Sequence, residues 1–256
     1  MTDVNGRRAR PNAFRFFLYL GALFAAAYLT YPAYLSYPAY LVHAQSSAAK
    51  SAPSKAPAPH TTWADYGGGP DSSQYSALTQ INRSNVNTLQ VAWKYSTGDG
   101  GGYLFNPIVV DGTMYVKAKG GIAAIEAATG KELWAHPVAG NLTNRGMNYW
   151  ESKDRTERRL LFSSQQFLQS IDAVTGEPIS SFGDNGRVDL RVGLDRDPTK
   201  INAQSNTPGH VFEDLIILGS ATNQAYNSAP GDIRAFNVRT GKLQSAVVLL
   251  PGESSR

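Results

Sequence analysis

The sequence predicts an all-β fold, a β-propeller, on three observations. Residues 124–134 read Ala-Ile-Glu-Ala-Ala-Thr-Gly-Lys-Glu-Leu-Trp, an alternating strand that runs into Thr-Gly and leaves as a second strand. The same order of acid or amide, two residues, then Thr-Gly returns at 172–176 and 237–241, placing Gly130, Gly176 and Gly241 46 and 65 residues apart. Apart from one N-terminal apolar run, no segment shows a helical period. Strand-and-turn units iterated at roughly 40–50 residues read as propeller blades rather than as the two sheets of a sandwich.

The totals agree with that class. Hydrophobic residues make up 42% and charged residues only 17%, and 24 glycines and 14 prolines supply turns. No cysteine is present, which excludes a disulfide framework, a thiolate metal site and a thiol nucleophile. Four arginines (Arg7, Arg8, Arg10, Arg15) and Asp3 in residues 1–44 account for +3 of the net +4. The near-neutral body that remains gives no electrostatic case for nucleic acid as a partner.

Along the chain, a basic start precedes an uncharged stretch at 16–42, and Val42-His43-Ala44 offers small residues at the −3 and −1 positions. Residues 1–44 therefore read as an export signal, with an uncleaved membrane anchor as the alternative. Residues 45–60, rich in Ala, Ser and Pro, read as a disordered linker. The folded part is expected from 61 onward. Residues 63–85 read as a long ordered loop and 89–96 as a strand. A hairpin follows, with strands at 107–110 and 113–117 around Asp111-Gly112, the dipeptide that type I′ turns favour. Strands at 121–127 and 131–136 complete a four-stranded unit. Further strands are expected at 159–163, 167–173 and 178–182, then at 215–218, 232–237 and 243–250.

These residues resemble a known family. Ala124-x-Glu126-x-x-Thr129-Gly130-x-x-x-Trp134 resembles the tryptophan-docking motif of the quinoprotein dehydrogenases, eight-bladed propellers that bind pyrroloquinoline quinone (PQQ). Trp63-x-x-Tyr66-Gly67-Gly68, Tyr75-Ser76-x-Leu78-x-Gln80-Ile81 and Leu89-Gln90-Val91-Ala92-Trp93 resemble the start of the glucose and alcohol dehydrogenase type. Asn144-Arg145-Gly146-Met147-Asn148-Tyr149-Trp150 resembles its Arg-Gly segment. The resemblance runs from about Trp63 to Lys242 and implies about three of the eight blades at 61–256. Ser180 and Ser245 stand where the second and third repeats would carry the tryptophan, no cysteine pair precedes Arg145, and the pattern stops after Lys242. That stop reads as a frameshift or a split gene.

PQQ is a flat tricarboxylic ortho-quinone, so its site needs cationic forks, hydrogen-bond donors, a hard cation at the quinone oxygen and a base for the substrate hydroxyl. Arg145 suits the first role, since guanidinium pairs carboxylate bidentately and Gly146 allows close backbone approach. It also falls on the family's PQQ-contacting arginine. The resemblance assigns Ser220 and Thr222 to the cofactor-contacting loop and puts Gln224 near a calcium-ligating glutamate. A neutral amide offers Ca²⁺ one oxygen and no charge. The charged residues from Glu151 to Arg159 read as a hairpin tip, and no histidine has metal-ligand spacing.

The resemblance implies the N-terminal part of a periplasmic PQQ-dependent dehydrogenase that oxidises a sugar or alcohol and passes electrons to ubiquinone or a cytochrome. The family's catalytic aspartate lies in later blades, so this chain alone is expected to be inactive. The competing reading is a non-catalytic propeller scaffold of the outer-membrane assembly type, which shares Thr-Gly repeats but needs no cofactor arginine. A third is that three blades with open faces do not fold stably.

Overall fold

The Thr-Gly pentapeptide closes the same turn three times. Gly130, Gly176 and Gly241 take φ of +76°, +79° and +72°, the left-handed region that glycine enters without a Cβ clash. Their N–H groups donate to the carbonyls of Glu126, Asp172 and Asn237 at 2.9, 2.8 and 2.8 Å. The acid or amide is there to cap the turn. Asp172 Oδ1 accepts from the N–H groups of Val174 and Thr175, and Asn237 Oδ1 accepts from those of Arg239 and Thr240, all at 2.8–3.0 Å. Each threonine hydroxyl then accepts from the N–H two residues on, at 3.2–3.3 Å.

The computed structural model describes residues 61–98, 103–222 and 228–247, all within one compact unit, Pro57–Arg256. The signal at 1–44, the linker at 45–60 and Gln224 lie outside the described residues. The turns join three four-stranded antiparallel sheets. The first is β1 (Ile108–Val110), β2 (Thr113–Ala118), β3 (Gly121–Glu126) and β4 (Glu132–Pro137). The second is β5 (Asn148–Glu151), β6 (Arg158–Ser164), β7 (Phe167–Asp172) and β8 (Arg187–Asp189), and the third is β9 (His210–Phe212), β10 (Leu215–Gly219), β11 (Ile233–Asn237) and β12 (Leu243–Val247). Each sheet runs in sequence order, and the second and third approach most closely at their first strands, β5 and β9. These are three blades of an all-β propeller, as expected.

Two apolar layers join them. Ile108, Ile122, Ala124, Leu160, Phe162 and Ile171 lie between blades one and two, and Leu161, Leu168, Phe182, Ile216, Leu218 and Phe236 between blades two and three. Alternation along β6 splits Leu160 and Phe162 from Leu161, so one strand serves both layers. A β-bulge aims the tryptophan. Ala124 pairs Trp134 and Ile125 pairs Glu132, leaving Leu133 over. Trp134 therefore shares a face with Ala124 toward blade two, while Glu132 faces the other way and meets Lys119 Nζ at 2.6 Å.

On that face the indole of Trp134 lies against Gly176, where a Cβ would come within 2.7 Å of Cε3. Trp93 lies on Gly130 in the same way, and its Nε1 donates to Ala127 O at 3.0 Å. At the third turn the partner changes. Ser180 sits in a turn rather than a strand, and a Cβ on Gly241 would meet Val188 Cγ2 at 2.5 Å. The Gly183 N–H also donates to Thr240 O at 3.0 Å.

Two expectations are corrected, and two short strands are added. Residues 178–182 make only an isolated bridge at Pro178; the chain turns at 180–182, and its fourth strand is β8. Residues 89–96 form no strand among the described residues, because they pack through Trp93 and Tyr95 on the outer face of blade one instead of pairing in its ladder. Within 63–85 the loop is as expected, save that Trp63 bridges Val109. The first strands β5 and β9 were not anticipated, being four and three residues long.

Trp134 is only partly buried, so Trp134→Ala is expected to lower unfolding free energy by about 2 kcal/mol, below the roughly 3–5 kcal/mol typical of fully buried aromatic truncations. Leu133→Ala, across the bulge and half exposed, is expected to change it by under about 0.5 kcal/mol. Urea melts check both, and equal shifts would remove the indole from the joint.

Candidate functional site

Antiparallel order sorts the connections onto two rims. The β1–β2, β5–β6 and β9–β10 turns share one rim with the three Thr-Gly turns. The blade-to-blade connections (138–147 and 190–209) share the opposite rim with the β2–β3, β6–β7 and β10–β11 turns.

The first rim is occupied with its own charges. Arg155 pairs with Asp111 and with Glu151 at 3.1 Å, tying blade two to blade one. Arg239 pairs with Glu157 and lies 4.6 Å from the Trp150 ring centre, and Trp150 Nε1 donates to Glu213 O at 2.9 Å. The hairpin tip at 151–159 is thus a set of inter-blade ties, not an acid–base pair.

The second rim holds the residues singled out in the sequence. Arg145 lies exposed in the β4–β5 connection. Its carbonyl accepts from Asn106 N at 3.4 Å, Gly146 beside it packs against Tyr66, and Met147 next in line is fully buried. The Asn148 side chain donates to Pro208 O in the following connection. The arginine is therefore presented from an anchored backbone, and among the described residues no hydrogen bond or ion pair engages its guanidinium.

Ser220, partly buried, and Thr222, exposed, follow β10 on the same rim, where Ala221 N donates to Gln204 O at 2.7 Å. The fold brings Arg145, Ser220 and Thr222 to one rim. No hydrogen bond among the described residues links the Arg145 loop to 219–222.

Three residues on this side were not singled out from the sequence. Thr143 Oγ1 and Ser163 Oγ are buried and have no hydrogen-bond partner among the described residues, and the Thr143 N–H donates to Ser163 O at 2.9 Å. Thr143 lies two residues before Arg145. Asp65 is half-buried next to Tyr66; burial pushes its carboxyl above the ordinary range, and nearby His210 works against the rise. Nothing in sequence spacing marks these groups, since their burial is created by neighbouring blades.

This donor set fits a carboxylate-bearing ligand. Arg145 supplies a cation without an acidic partner, and buried hydroxyls without partners are places where a ligand or water completes the hydrogen bonding. The set does not extend to a metal: among the described residues no three His, Cys, Asp or Glu side chains are gathered to hold an ion.

Comparison with known proteins gives consistent results. Residues 63–246 match the family model described as PQQ: glucose/ethanol/alcohol dehydrogenase, beta-propeller domain. The chain is 31% identical over 228 residues to the quinoprotein glucose dehydrogenase of Gluconobacter oxydans (strain 621H), covering 77% of this chain and 28% of that protein. It is 31% identical over 201 residues to the dehydrogenase subunit of the alcohol dehydrogenase (quinone) of Gluconacetobacter polyoxogenes, covering 74% of this chain and 25% of that one. The crystal structure of quinohemoprotein alcohol dehydrogenase from Comamonas testosteroni superimposes with a TM-score of 0.60 at 25% identity, covering 77% of this chain and 28% of that one. The chain thus spans little more than a quarter of the relatives it matches.

The raised Asp65 carboxyl has a defined stability signature. Between its ordinary pKa of 3.8 and the raised folded value, the folded chain keeps a proton that the unfolded chain has lost. Stability therefore falls as pH rises through that window, and the cost persists at neutral pH. Asp65→Asn is expected to raise Tm at about pH 7 and to give little or no gain at about pH 3.5. Thermal melts at the two pH values check this; an equal gain at both would refute it.

Proposed function

We propose a function from one premise: the chain belongs to the PQQ glucose/ethanol/alcohol dehydrogenase β-propeller family. It supplies the first blades of a quinoprotein oxidoreductase and part of the surface that holds PQQ. The substrate class is a sugar or simple alcohol and the acceptor a quinone or cytochrome, as the names of its relatives suggest. The basic start and uncharged stretch at 16–42 support export to the periplasm, by a cleaved signal or on an inner-membrane tether.

The observation that carries the reading is Arg145, an exposed cation without an acidic partner among the described residues, held on the second rim by an anchored backbone. Its guanidinium would pair a PQQ carboxylate, and Ser220 and Thr222 would donate hydroxyl hydrogens to others. When bound, PQQ supplies a two-electron acceptor for oxidation at a hydroxyl-bearing carbon. The residues of this chain bind and orient; none of them is assigned as the base. Gln224 would offer Ca²⁺ only one neutral oxygen.

Titration of the 256-residue chain with PQQ, followed by absorbance, is expected to saturate. Arg145→Leu should weaken binding about tenfold or more, the scale of a lost charge-assisted hydrogen bond, and Arg145→Lys should recover part of it. Dye reduction with glucose or ethanol should be absent in the chain alone. Failure to bind PQQ, or unchanged binding by Arg145→Leu, would favour the non-catalytic scaffold instead.

A further inference from the structure

A small pocket lies on the rim opposite Arg145, at the seam of blades one and two. It holds about 160 Å³ and opens beside the Thr-Gly turns, with exposed Leu133 and Val174 at its edge. That volume is close to the ~150 Å³ of a cavity that accepts one benzene ring, and it is too small for PQQ. Aromatic rings make its walls. Tyr115, Trp134 and Tyr149 all line it, with the Tyr115 ring centre 6.0 Å from that of Trp134 and 6.4 Å from that of Tyr149. The phenol hydroxyls are used inside the chain. Tyr115 OH donates to Ala173 O at 3.1 Å and Tyr149 OH to Glu151 Oε2 at 2.8 Å. Burial pushes both phenols up, Tyr115 to about 12, so neither is charged at neutral pH. What the rings leave to a guest is apolar surface.

One charge in the pocket is unpaired, an exception on a rim that otherwise ties its blades through ion pairs. Arg158 opens β6 on the face that carries Leu160 and Phe162 toward blade one. Among the described residues no hydrogen bond or ion pair engages its guanidinium. The carboxylates around it are engaged elsewhere: Asp111 and Glu151 share Arg155, and Asp172 Oδ1 caps its own turn. A carboxylate carried in by a ligand would therefore meet a guanidinium from which no acid has to be displaced. A ring attached to that carboxylate would lie among the three aromatic side chains.

We propose that this pocket binds a small, planar aromatic monocarboxylate, of which benzoate is the simplest. The site goes beyond the cofactor reading and does not rest on it. The test titrates sodium benzoate, at low ionic strength, into the ¹⁵N-labelled 256-residue chain without PQQ. NMR follows the indole N–H signals, and Trp134→Phe identifies that of Trp134. A saturable shift of the Trp134 signal is expected in the millimolar range, with Trp150, which packs toward blade three, unmoved. Sodium acetate, benzyl alcohol and benzylamine should each bind at least about tenfold more weakly. Arg158→Gln should weaken benzoate binding about tenfold, Arg158→Lys should recover part of it, and Arg145→Leu should leave it unchanged. No saturable shift, a shift centred on Trp150, equal binding of any of the three control compounds, or full affinity in Arg158→Gln would each overturn the proposal. So would loss of binding in Arg145→Leu, which would put the ligand on the other rim. If Arg158→Gln does not fold, the location of the shifts and the order of the ligands in the unaltered chain decide.

Discussion

The structure depends on one contact, an apolar side chain laid over a bare glycine at a Thr-Gly turn. Blades of a propeller diverge from the axis, so their outer strands need something to bridge the widening gap. An indole can do this only if the facing turn has no Cβ, and the turn can close only if that residue takes positive φ. One glycine meets both demands in each blade. Trp93 uses Gly130, and Trp134 uses Gly176. At Gly241 the wedge is smaller, Val188 with a backbone hydrogen bond from Gly183. The joint survives loss of the tryptophan because the layer behind it is rich, with Phe182, Leu190 and Leu194 all buried there.

The same meander that makes the joints separates structure from chemistry. The rim with the Thr-Gly turns satisfies most of its charges in pairs between blades, and Trp150 is covered there by Arg239. Among the described residues the opposite rim holds Arg145 without an acidic partner, the buried hydroxyls of Thr143 and Ser163 without hydrogen-bond partners, and a cleft of about 390 Å³ lined by Asn141, Gln165, Gln166, Asn202 and Gln204. Polar groups left unmatched inside the chain are available to ligands; Thr143 and Ser163 lie toward this rim, while Arg159 Nε is left unmatched toward the other. Arg234 shows the contrast. It is buried, its pKa is lowered by that burial, and it is fully engaged in structure through Leu190 O at 2.7 Å and Val192 O at 3.1 Å.

Much of the fold was legible because its signals are local. The Thr-Gly turns, the Asp111-Gly112 hairpin and the strands of blade one follow from residues that act on their immediate neighbours. What was missed depends on partners far along the chain. β5 and β9 are too short to show a period and exist because β6 and β10 pair them. Residues 89–96 alternate like a strand but act as a packed strap. The site was less legible than the fold. Arg145, Ser220 and Thr222 entered through family resemblance, and the fold adds that they share a rim. Asp65, Thr143 and Ser163 carry no sequence mark, since burial is what sets them apart.

The unequal spacing of the repeats has a structural meaning. The second and third Thr-Gly turns are further apart than the first two because the chain detours at 177–186 and then takes a blade-to-blade connection at 190–209, twice as long as that at 138–147. The detour supplies Phe182, which fills the layer where a tryptophan would otherwise reach across. The long connection supplies Arg191, Asn202 and Gln204 to the cleft. Substituting the wedge and building the cleft therefore occur at one junction. Where this chain departs most from its own repeat is also where it gains a polar surface that the repeat does not require.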